Sequence, residues 1–327
     1  MTILICLAML STQGAPLDAN ADYLRAAQIV ANAGDDLKPP TGDDVLEWAR
    51  NATKKYGSAC DLVATGNKKP FAPLERRALN AAFPEFTGFR ALGFLYEARL
   101  FEQIADGKPN QAADSLIEAL TFGRRVQSIA MIGHVIGSQI IERNLRMFDL
   151  NRRAFAEEGL EKLAKLELIA SIPADKSAMQ LDFLAVESSG DLDKLPSEDR
   201  TRILARIQQL KASTTLQFDK DEALWKWGGD NEEHEALFGV AVALETTWPR
   251  ALVMRTKLRL FTATAKVLLY EVRNYKLPDT FTEVHDPATG NPFFYGKRDD
   301  AFVMYSDGVE KTGRIELGTL WNRAKTR

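Results

Sequence analysis

Ala251, Met254, Leu258, Phe261, Ala265, Leu268 and Val272 recur at alternating intervals of three and four residues. Only a helix gathers positions at that spacing onto one side, and here the stripe persists over three heptads. Pro249 suits the first turn of such a helix, where the missing N–H has no intrahelical partner, and Pro278 lies past its end. A long helix is therefore expected from Pro249 onward, with an apolar side that other elements must cover.

Upstream segments carry the same period. "NADYLRAAQIVANAG" reads as a first helix, with Asn20 as its cap and Gly34 as its stop. "TGDDVLEWARNATKKYGSA" reads as a second, starting near Thr41 and closing at Gly57. Gly107-Lys108-Pro109-Asn110 is a helix–turn signal between two further helices. The second of these is expected to run 40 residues to Leu150, burying Leu116, Leu120, Ile129, Ile132, Ile136 and Ile140. Gly133 and Gly137 within it mark close helix packing. Residues 219–235 hold seven acids, two bases and Gly228-Gly229, and read as a polar connection. No unit recurs at a fixed period, so a solenoid is not expected.

The pattern changes after Pro278. "DPATGNPFFYGKRDDAFVMYSDG" starts turns at Asp-Pro and Asn-Pro, and Gly290 tolerates positive φ. Phe293, Phe294 and Tyr295 favour one strand and Ala301–Tyr305 another, with "GKRDD" as the hairpin loop. So small a sheet needs a cover on its apolar face, and the preceding helix supplies it.

This order of long helix, turn and strands resembles the C-terminal half of type II secretion major pseudopilins. Asp286, Pro287, Gly290, Asn291, Pro292 and Tyr295 match that family's "DPWGNPYxY" stretch; Tyr305, Ser306 and Gly308 match its "YSxGxDG" loop less fully. The resemblance covers the last fifth to quarter of the chain and implies a pseudopilin-like head, as found at the end of uncharacterised bacterial envelope proteins. The family's N-terminal membrane helix is absent, with about 245 residues of helical protein in its place, so assembly as a pilin subunit is not implied. The family binds calcium after the "YSxG" step. Here that loop offers only Asp307, Glu310 and Glu316, too few oxygens for a calcium site to be expected.

At the other end, Ile3 to Leu10 are apolar and Ser11, Thr12, Gly14 and Ala15 are small, like a secretory signal peptide cleaved before Ala15. The basic start of such a signal is missing. The expected compartment is periplasmic or secreted. Of the two cysteines, Cys6 lies in the signal, leaving Cys60 without a disulfide partner. No later run of about 20 apolar residues suggests a membrane span.

Motifs of chemistry are scarce. Nothing matches G-x-S-x-G, a P-loop or a dinucleotide fingerprint. His134 reads as a core histidine, His234 as part of a solvated loop and His285 as a turn residue; no metal or cofactor is expected. The acidic pairs Asp35-Asp36, Asp43-Asp44, Glu157-Glu158 and Asp299-Asp300 read as solvated faces. Residues 250–276 carry seven bases and one acid. Against the acidic 219–235 stretch, this suggests internal complementarity or docking to an acidic partner. Trp225, Trp227, Arg255 and Arg259 are the candidate partner-binding residues. With a net charge of -3, nucleic acid is not the expected partner.

The fold class expected is mainly α: a multi-helix array, then a long helix packed on a small antiparallel β-sheet. Residues 1–15 are assigned to a signal peptide, 16–248 to the helical domain, and 249–327 to the long helix and β module. The expected role is an exported, non-enzymatic binding or assembly protein of the bacterial cell envelope. The alternative is a hydrolase using carboxylates in a helical groove. Converging acids in a concave pocket would favour the enzyme.

Overall fold

The computed structural model describes residues 18–42, 44–72, 85–171, 174–212, 222–228, 234–298, 301–310 and 312–318. The proposed signal segment, the acids at 219–221 and 230–233, and Asp299-Asp300 lie outside them. Eleven helices stand among the described residues: α1 (Ala19–Val30), α2 (Val45–Asn67), α3 (Glu85–Ala105), α4 (Pro109–Gln127), α5 (Met131–Leu150), α6 (Glu157–Ala164), α7 (Leu168–Ser171), α8 (Ala174–Ser188), α9 (Ser197–Ala212), α10 (Glu222–Gly228) and α11 (Glu235–Asn274). Strands β1 (Phe294–Arg298) and β2 (Ala301–Tyr305) follow. The chain is mainly helical, with a small antiparallel sheet after its longest helix.

Four helix boundaries depart from the sequence reading. Asp18, not Asn20, caps α1, its carboxylate accepting from the Asn20 N–H at 2.9 Å. Helix α2 does not stop at Gly57, because the buried series Ala49, Ala52, Tyr56, Cys60 and Val63 carries the helical period straight through it. The expected 40-residue helix breaks between Gln127 and Met131. Ser128 bonds back to the Arg125 carbonyl at 2.6 Å and closes α4, and α5 folds back upon it. A Cβ on Gly137 would sit 2.3 Å from the Gly123 carbonyl oxygen, so the paired glycines permit this close crossing, as their spacing suggests.

The fourth departure is α11. It starts at Glu235 and passes through Pro249, so the expected boundary at 248/249 falls inside one continuous helix. Proline denies the Glu245 carbonyl its usual N–H, a disruption of about 3 kcal/mol in an isolated helix. Apolar burial on both sides of that point offsets it: Leu237, Val240 and Leu244 before, Met254, Leu258 and Phe261 after. The stripe from Ala251 to Leu268 is buried as its spacing predicts, and only Val272, 40% exposed, emerges. Leu252, Val253, Leu260, Ala263 and Val267 are buried too, so this stretch is enclosed on more than one side.

Three apolar cores result. One joins α1 to α5 around Tyr23, Leu92, Tyr96 and Phe122. A second joins α4, α5, α6, the middle of α11 and the hairpin. A third joins α8, α9, α10 and the first half of α11. Polar ties reinforce them. Arg125 donates to the carbonyls of Gly66, Asn67 and Lys69, the orphan acceptors at the end of α2, and to the Tyr23 hydroxyl. Asp182 of α8 accepts from the Met131 N–H at the start of α5 at 2.7 Å. Asp191 accepts from the Ala236 N–H at the start of α11 at 2.7 Å.

In the hairpin, Phe294 pairs with Tyr305 and Arg298 with Ala301. Phe302 and Met304 face the core, while Phe294 and Val303 face outward. The buried Asp286 carboxylate joins the two sequence motifs. It accepts from Ala288 N–H (2.8 Å) and Thr289 Oγ1 (3.0 Å) within the turn, and from Ser306 Oγ (2.6 Å) twenty residues on.

Candidate functional site

The sequence candidates do not converge. Trp225 and Trp227 lie on α10, half-buried against the third core rather than standing free as anchors. Glu222–Gly228 of their supposed polar connection is thus a helix, whose Gly228 would place a Cβ 2.5 Å from the Leu237 backbone. Arg255 and Arg259 sit further along α11; 18 residues separate Leu237 from Arg255, about 27 Å at the helical rise. Arg259 pairs with Glu167 at 3.2 Å beside a cavity of about 10 Å³, room for about one water.

The basic helix finds acids inside the fold. Lys257 is buried against Glu142 of α5 at 2.9 Å. Lys266 meets Glu283 at 3.4 Å, and Arg273 meets Glu157 at 2.7 Å. Among the described residues, internal complementarity holds with partners on α5, α6 and the loops.

The chemical groups singled out earlier resolve as structure. His134 is buried in α5, and His285 bridges to Pro292 in a turn. His234 is buried at the start of α11, which corrects its reading as a solvated residue. Asp36 is exposed and bound by Lys55 and Tyr56; those contacts hold its carboxyl below its ordinary value. The Cys60 thiol is pushed up to about 12 by burial, which leaves it protonated and unreactive. Near it the Tyr96 hydroxyl lies 3.3 Å from Glu118 Oε2, and burial raises that carboxyl as well. Both Cys60 and Tyr96 are fully buried, so this cluster is closed to a substrate. Among the described residues no group of three or more His, Cys, Asp or Glu side chains could hold a metal ion.

A groove of about 420 Å³ opens where the helical body meets the hairpin. Asp149, Leu150, Asn151, Arg152, Arg153 and Ala154 form one wall, and Ala301 and Phe302 the other. Asn151 ends α5, its amide N–H bonding the Met147 and Phe148 carbonyls, and its side-chain amide also reaches Met147 O at 2.9 Å. The chain then makes a 3-10 turn (Arg152–Ala154) that brings two arginines to the groove in succession. The Arg152 guanidinium lies 4.6 Å from the Phe302 ring centre and donates to the Phe302 carbonyl at 3.2 Å. Arg153 pairs with Glu271 at 3.0 Å. Burial raises the Asp149 carboxyl above its ordinary value; Arg152 opposes this and Glu316 adds to it. Leu150 stands at the rim, 67% exposed.

Sequence reasoning missed this site because its halves lie about 150 residues apart. The signal available was "DLNRRAF", an arginine pair directly after an apolar helix. Compared with protein families, with curated proteins and with solved structures, the chain gives no match.

Proposed function

We propose that this chain is an exported, non-enzymatic binding or assembly protein of the bacterial cell envelope. Its partner is a protein that engages the groove between α5 and the hairpin. The observation that carries this reading is the composition of that groove. Among the described residues, two guanidinium groups, each already held by a neighbour, line it with the carboxyl of Asp149 alone. Hydrolysis by carboxylates needs two acids flanking the scissile bond, one of them to protonate the leaving group. Fixed guanidinium groups beside an exposed leucine suit recognition instead. The raised Asp149 carboxyl is the one feature on the side of a hydrolase. Export rests on the apolar N-terminal run and its small-residue cleavage zone, and the envelope on the likeness of the Asp286–Gly308 stretch to pseudopilin heads.

The test has two parts. Mass spectrometry of the protein from its native cells reads its N-terminus, expected near Ala15. A photo-cross-linking residue at Leu150 is expected to give a defined protein adduct in those cells, where one at the exposed Ile132 gives none. A chain that retains Met1, or identical adducts from both positions, would overturn the proposal.

A further inference from the structure

The groove has one guanidinium that the fold orients with no described carboxylate hydrogen-bonded to it. Arg153 is met by Glu271 at 3.0 Å, and the nearby Arg314 by Glu316 at 2.7 Å. Among the described residues the acid nearest Arg152 is Asp149, at 3.8 Å, an ion-pair distance too long for a hydrogen bond. Of the five N–H donors of Arg152, one is taken up by the Phe302 carbonyl. Stacking on the Phe302 ring fixes the plane of the fork while its side chain stays 30% exposed. A planar fork with spare donors, already immobilised, matches a carboxylate bidentately and loses little freedom on binding.

Resting on the binding role proposed above, we infer that the groove takes a carboxylate of a partner peptide, gripped by Arg152, with Leu150 covering the apolar residue next to it. Three features support this assignment. The volume of about 420 Å³ lies within the range of ligand sites. The exposed leucine adjoins the fork, so acid and apolar neighbour are read together. Asp149, the internal competitor for Arg152, stands off at 3.8 Å, beyond hydrogen-bond reach.

The test uses the purified chain and three labelled peptides: Ac-Val-Glu-Val-Glu-NH2, its glutamine counterpart Ac-Val-Gln-Val-Gln-NH2, and the latter with a free C-terminal carboxylate. Binding is read by fluorescence anisotropy and by the Nε–H resonance of Arg152. At least one carboxylate peptide is expected to bind about tenfold more tightly than the neutral one and to shift that resonance. The stronger of the two identifies a side-chain or a terminal carboxylate as the group recognised. Arg152→Lys keeps charge and stem but loses the fork, and should weaken binding about tenfold; Leu150→Asn, at an exposed position, should weaken it about threefold. Equal binding of acidic and neutral peptides, no binding of any, or no effect of Arg152→Lys would overturn the inference. Failure here with a Leu150 adduct still found in cells sinks the carboxylate assignment alone. Peptide binding without that adduct sinks the assembly role and leaves the site.

Discussion

Asp182 gives the sharpest prediction on stability. Its carboxylate is largely buried, accepts one backbone N–H from Met131, and burial pushes its pKa up from 3.8 to about 6. The folded chain therefore holds a proton between pH 4 and 6 that the unfolded chain has released. Stability from this group is fully present below about pH 4, falls as pH rises to 6, and stays lost above that. The difference is about 3 kcal/mol at 1.36 kcal/mol per pH unit. Asp182→Asn keeps an oxygen to accept the Met131 N–H but cannot ionise. Urea unfolding of both proteins, followed by circular dichroism from pH 4.5 to 7.5, isolates the effect, because every other carboxylate is common to the two. The variant should gain about 2 kcal/mol on wild type between those limits, since the cost of its unpartnered amide N–H group is the same at both and cancels. Asp182→Ala should lose about 1 kcal/mol at pH 4.5, where it lacks the cap without relieving any charge. Parallel pH profiles for wild type and Asp182→Asn would refute the argument.

Further outcomes follow from the packing. Glu142→Ala removes the carboxylate that Lys257 meets in the core and should cost about 3 kcal/mol in denaturant unfolding, whereas replacing both residues by leucine should recover most of that loss. Gly137→Ala must push α5 away from the Gly123 carbonyl and should destabilise by about 1 to 3 kcal/mol in the same assay. Tyr275 ends α11 at φ 55° with its side chain 95% exposed, so Tyr275→Gly should raise stability by about 1 kcal/mol, measured as a higher urea midpoint. Asp286→Ala removes an acceptor from Ser306, Thr289 and Ala288 together and should cost about 2 kcal/mol, with faster amide exchange in the hairpin.

Local signals translated well into local structure. The a/d stripe of α11, the Gly107–Asn110 turn and the second strand stand where spacing and turn chemistry put them, while Gly296, Lys297 and Arg298, expected in the hairpin loop, belong to β1 and pair across the hairpin. The glycine pair at 133 and 137 announced a close crossing correctly because backbone approach needs a missing Cβ whatever the partner. Errors arose where tertiary contact overruled a local rule. Pro249 is a start signal only if nothing is buried before it, and Leu237 to Leu244 supply that burial. Gly57 is a stop only where the apolar period ends, and it does not. His234 was misjudged because its acidic neighbours in sequence say nothing of the surface it meets in space. The groove was harder still: Arg152 acquires its orientation from Phe302, and no period or motif links residues so far apart.

Helix α11 also decides how the molecule comes apart. Its first half belongs to the core of α8 to α10, and its middle to the core that holds the hairpin. Melting one of these exposes a helix that the other requires, so they should open as a single cooperative unit. The core of α1 to α5 draws nothing from α11. It shares α4 and α5 with the core that holds the hairpin, so the same argument ties it to the unit that α11 defines. In native-state hydrogen exchange the three cores should then share one opening energy, with the hairpin and α10 exchanging together despite their separation in sequence.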